Sequence, residues 1–129
     1  MDPMDDLVQF LRDRLDEDEQ TARAASWDEW DSSHWTARHR EQYDGRWVVV
    51  DHAEEGVTDV TPHAADDAAV AQHIARYDPA RVLREVEAKR RIIDGHTADF
   101  HWCPMQDNVF KALALAYADH PDYRNDWRP

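Results

Sequence analysis

His96, His101 and Cys103 are the residues whose types suit metal chemistry. Imidazole and thiolate ligate zinc, and a fourth ligand from Asp99, His120 or water would complete a tetrahedral site. The spacing, H-x4-H-x-C, lacks the paired cysteines of the strong zinc signatures. His101 and Cys103 alternate with Trp102, so an extended segment would point both the same way. The competing reading is a loop with two titrating histidines and a thiol at a helix start. A second group, His34, His39 and His52 with Asp51, Glu54 and Glu55, offers a general base or a divalent-cation site. It requires His39 and His52 to meet across a sheet; otherwise these are solvated strand residues.

Other chemistries find no support. Ser26, Ser32 and Ser33 lie in a polar stretch without a G-x-S-x-G turn. The chain has only three glycines, Gly45, Gly56 and Gly95. Each is expected at a turn or helix end, which leaves no phosphate-cradling loop. A nucleotide-dependent enzyme is therefore not expected.

Charge is the dominant feature. The 129 residues hold 28 Asp plus Glu against 15 Lys plus Arg, a net of -13. Residues 1–61 carry 17 acids and 6 bases, and residues 62–129 carry 11 and 9. Direct nucleic-acid binding is not expected, because phosphates need a basic face. Asp16, Glu17, Asp18 and Glu19, then Asp28, Glu29 and Asp31, place seven carboxylates within 16 positions. Such a field steers a basic partner onto the surface. Trp27 and Trp30 stand beside it as interface anchors, or as core filling. The expected partner is a basic protein surface; the alternative is a solvated helix end. A related reading is a homodimer, acid face to the basic helix bearing Arg81, Arg84, Lys89, Arg90 and Arg91. The single cysteine suits a reducing, cytoplasmic setting. No apolar run is long enough for a membrane span, and the start lacks a secretory signal.

The elements that must position these residues follow from periodicity. Asp2 and Pro3 start a helix in which Met4, Leu7, Val8, Leu11 and Leu15 form one stripe, ending near Ala24 or Ala25. Its other faces carry Arg12, Asp13, Arg14 and residues 16–19. Trp35 to Gln42 reads as a strand, and Asp44-Gly45 as a hairpin turn. Trp47 to Asp51 is the strongest strand by β-branched content. A turn at Ala53 to Gly56 leads to a third strand, Val57 to Thr61. Thr61-Pro62 begins a helix lined by Val70, Ala71, Ile74 and Tyr77. Asp78-Pro79 begins another, with Val82, Leu83, Val86 and Ile93 buried and Gly95 closing it. A last helix from Pro104 to Ala118 buries Met105, Val109, Leu113 and Ala116 or Tyr117. Tyr123 and Trp127 are expected to fold back onto the body. The expected fold is α+β: helix, three-stranded antiparallel meander, three helices and a packed tail over 120–129. It is read as one domain, 1–129, with a core shared by meander and helices.

Three segments carry a resemblance. They are Met4 to Glu19 (MDDLVQFLRDRLDEDE), His73 to Ile93 (HIARYDPARVLREVEAKRRII), and Leu113 to Tyr123 (LALAYADHPDY) followed by Trp127. Together they resemble a family of small uncharacterised proteins, a domain of unknown function, from actinobacteria and their phages. The resemblance covers both ends and most of the helical half. It implies no activity. Relatives look as if they carry paired cysteines before the last helix, suggesting zinc, whereas this chain keeps only Cys103-Pro104 after His96 and His101. The phage link suggests a phage-type inhibitor or nucleic-acid mimic, with carboxylates standing where phosphates would.

Overall fold

The computed structural model describes residues 3–27, 31–39, 41, 45–61, 66–97 and 104–129. Seven main elements follow in order: α1 (Pro3–Ala24), β1 (Trp35–His39), β2 (Trp47–Asp51), β3 (Gly56–Asp59), α2 (Asp67–Arg76), α3 (Pro79–Thr97) and α4 (Pro104–Ala114). This is the expected α+β arrangement. The chain divides into two compact units, Met1–Glu19 with Glu85–Pro129, and Gln20–Arg84.

The second unit contains the sheet, in the order β1-β2-β3 with both pairings antiparallel. The register sets Trp35 against Asp51, Ala37 against Val49 and His39 against Trp47. Alternation along the strands then puts Trp35, Ala37, Trp47 and Val49 on one face. There they pack with Val57, Val60 and the Ala71, Ile74 and Ala75 side of α2. Gly45, after β1, has φ +72°, a left-handed conformation that glycine adopts without strain.

The turn after β2 departs from the glycine expectation. Glu54, with φ +62°, takes the left-handed position, and Gly56 instead opens β3. Asp51 explains this. Its buried Oδ1 accepts from the amides of both Ala53 and Glu55, at 2.9 Å each, which fixes the turn locally. Arg38 holds the Glu54 carboxylate at 2.9 Å.

Helix α2 is capped at Asp67 by Asp66, which accepts from the Ala69 amide at 3.1 Å, and its expected start at Pro62 lies outside the described residues. Its buried side is Ala71 and Ala75, whereas Val70 and Tyr77 are exposed. The alanines allow close approach to the sheet, and Tyr77 lies between His73 and Arg81, whose guanidinium sits 4.5 Å above its ring. Asp78 then does two things at once. Its Oδ1 accepts from the Arg81 amide at 2.8 Å, capping α3, and its Oδ2 accepts from the Trp35 amide at 3.1 Å. One side chain thus ties the start of β1 to the start of α3.

The first unit is helical. Leu7, Phe10, Leu11 and Leu15 of α1, Val86 and Ile93 of α3, Phe110 and Ala114 of α4, and Trp127 are its buried hydrophobic residues among those described. Full burial of one such side chain is worth about 1.5–3 kcal/mol. Three details differ from the periodicity. Arg14 is only 8% exposed instead of solvated. Its guanidinium lies over the Phe10 ring, with Cζ 5.2 Å from the centroid, while its nitrogens meet Glu17 and His120. Helix α3 runs through Gly95 to Thr97, whose hydroxyl donates to the Ile93 carbonyl at 2.9 Å. Helix α4 ends at Ala114 and tightens into a 3-10 turn, Leu115–Tyr117. It buries Phe110 and Ala114, leaving Met105 66% exposed.

The C-terminal segment packs on α1 through rings. Trp127 is 5% exposed and lies 4.9 Å from Phe10, centroid to centroid. Tyr123 meets Phe10 at 6.0 Å and Trp127 at 5.8 Å, both edge-on.

Candidate functional site

The expected acidic residues of α1 are each held within the chain. Arg90 of α3 reaches Asp16 at 2.7 Å and also Glu19. These contacts raise the Arg90 pKa above its ordinary value, its hydrogen bond to the Glu19 carboxylate being the largest cause. Glu17 accepts from Arg14 at 3.0 Å. Asp18 accepts from the Tyr117 hydroxyl at 2.6 Å. Burial, and then that bond, push the Tyr117 phenol well above its ordinary range. Arg90 of the basic helix thus pairs with two of these acids within one chain. Trp27 is exposed. Asp31 opens a 3-10 turn, Asp31–Ser33, and Asp28, Glu29 and Trp30 lie outside the described residues.

The metal-type residues are placed as follows. The His96 ring packs edge-on against Phe110 at 5.8 Å, and its carbonyl accepts from Gln106. The His120 Nδ1 accepts from the Asp122 amide at 3.0 Å and lies 2.8 Å from Arg14 Nη1. His101 and Cys103 lie outside the described residues. Among the described residues, no three His, Cys, Asp or Glu side chains gather as a metal site. The hairpin histidines do not meet. His39 stacks on Trp47 at 5.0 Å and donates to the Gly45 carbonyl. His52 follows Asp51, at the opposite end of the β1–β2 pairing. Four residue steps at ~3.3 Å separate the ends by about 13 Å.

What the structure does assemble is a cleft of about 450 Å³ in the helical unit. One wall is the face of α1 carrying Asp5, Asp6, Gln9, Phe10, Asp13 and Arg14. Spacings of three and four make two adjoining rows of them, Asp5–Gln9–Asp13 and Asp6–Phe10–Arg14, on one side of the helix. The other wall is Asp122, Arg124 and Trp127. Four aspartates face two arginines, so the lining is net negative. Its carboxylates differ in how they are engaged. Asp6 takes Arg124 at 3.3 Å, and Asp13 accepts from Gln9 at 2.8 Å. Asp122 stands 4.0 Å from Arg14. Asp5 is exposed and makes no hydrogen bond or ion pair with a described residue. Phe10 and Trp127 supply ring faces, which attract cations through their quadrupoles. Arg14 and Arg124 already use those faces, at 5.2 Å each.

Periodicity missed this site. The recurrence of Asp5, Gln9 and Asp13 at intervals of four was the available signal, but it reads simply as the polar side of an amphipathic helix. The opposite wall comes from residues over a hundred positions away.

Comparison with curated proteins and with solved structures returned no match. A family pattern does match, over residues 4–129, and spans both walls of the cleft. The chain thus belongs to DUF6221, a family of unknown function.

Proposed function

We propose that this protein is an interaction protein that binds a basic protein surface through the acidic cleft beside α1. The observation that carries the reading is the cleft's composition. A net-negative lining, with an exposed Asp5 carboxylate that no described residue engages, suits the ammonium or guanidinium of a partner's lysine or arginine. The overall charge of -13 would speed the encounter. Asp16 to Glu19 contribute to that long-range field although their contacts are internal. We place the binding in the cytoplasm, where the lone Cys103 stays reduced.

Calorimetric titration with an oligoarginine peptide tests it. Binding should weaken steeply as salt rises, since exposed charges are screened beyond ~10 Å at 0.1 M. Replacing both Asp5 and Asp13 by asparagine should weaken it further, with the fold intact by circular dichroism. Equal affinity of variant and parent would remove the cleft as the site.

A further inference from the structure

Arg124 already satisfies the description of the cleft's ligand. Its guanidinium pairs with Asp6 at 3.3 Å and lies 5.2 Å from the Trp127 ring centroid, between a carboxylate and an aromatic face. It belongs to the C-terminal segment, 118 positions from Asp6, and its side chain is about half exposed. Arg128, in the same segment, stands over Tyr123 instead, at 5.8 Å, and does not line the cleft. The two arginines are thus alike in charge and setting but differ in occupancy of the cleft.

We infer that Arg124 is an internal surrogate for the partner's cation, and that a partner's arginine or lysine displaces it from Asp6. The inference rests on the proposed binding of a basic surface and names how that binding is regulated. An exposed ion pair is weak in water, so Arg124 leaves Asp6 at little cost. While seated, it lowers apparent affinity by the fraction of time the site is closed. Release would hand the incoming cation a carboxylate and a ring face without rebuilding the aromatic cluster, because Trp127 is held by Phe10 and Tyr123 independently of Arg124.

The test is titration of an oligoarginine peptide into the full chain and into Arg124→Gln, Arg124→Lys and Arg128→Gln. Arg124→Gln and Arg128→Gln remove the same charge, so long-range electrostatics changes alike in both. Arg124→Gln should bind about threefold more tightly than Arg128→Gln, the scale expected for losing one exposed pair. Arg124→Lys keeps the competing charge and should stay near the parent. Urea midpoints close to the parent's in all three variants verify that the segment remains docked. Binding that first appears in Arg124→Gln also supports the surrogate role. Binding by the parent with Arg124→Gln no tighter than Arg128→Gln overturns it alone. No binding by any chain overturns it together with the reading on which it rests.

Discussion

Arg90 and Asp16, 74 positions apart in sequence, face each other at 2.7 Å. The same guanidinium also holds Glu19, so one α3 cation spans two carboxylates a helical step apart on α1. Arg12 and Asp94 make a further α1–α3 pair at 3.0 Å. Part of the charge surplus of residues 1–61 is therefore neutralised locally.

Removing Arg90 should cost little in folding and show its electrostatic origin in salt. Arg90→Gln is expected to lose about 0.5–1 kcal/mol, as for partly exposed pairs. Thermal unfolding at low and high salt measures it, and the gap between parent and variant should narrow at high salt. A gap unaffected by salt would mean that packing, not charge, holds the contact.

Asp78 should matter more than its place between two helices suggests. Asp78→Ala removes the α3 cap and the acceptor for the Trp35 amide together, an expected loss of about 1–2 kcal/mol. Asp78→Asn keeps an oxygen acceptor and should recover part of it. Urea midpoints for the three proteins decide the matter.

Trp127 is the seat of the C-terminal segment. Trp127→Ala vacates the contact with Phe10 and Tyr123 and should destabilise by about 3–5 kcal/mol. Chemical denaturation gives the value. A loss below about 1 kcal/mol would mean the segment is not part of the cooperative fold.

Tyr117 gives the protein an alkaline limit. Its pKa is raised in the fold by burial first and by Asp18 second. The unfolded phenol ionises near ~10, so its contribution is intact below that pH. Above it, the unfolded chain gains a charge that the fold resists, and stability falls as pH rises towards the folded value. Urea midpoints between about pH 8 and 11 should fall less steeply in Tyr117→Phe, which has no phenol to ionise. Equal slopes would remove Tyr117 as the cause.

Local pattern carried the architecture far. Leu7, Leu11 and Leu15 mark α1, the run from Trp47 to Asp51 marks the central strand, and Asp78-Pro79 marks the start of α3. The two aromatic residues of the tail, Tyr123 and Trp127, mark it as a segment that packs on the body. Errors arose where a distant residue decides the outcome. Arg14 is buried because Phe10 and His120 receive it, and nothing in its immediate neighbours signals that. On α2 a valine and a tyrosine outweigh two alanines on any hydrophobic count, yet close approach to the sheet favours the alanines. Glu54 takes a left-handed turn because Asp51 has already fixed its neighbours. The cleft was hidden for the same reason: its walls come from the two ends of the chain, and each looks merely solvated by itself.

Amide and indole chemical-shift mapping during addition of an oligoarginine peptide tests the binding account most directly. Shifts concentrated at Asp5, Asp6, Gln9, Asp13 and the Trp127 indole are predicted, fading as salt is raised. Shifts confined to the sheet unit, or none at peptide concentrations that saturate the calorimetric signal, would contradict it.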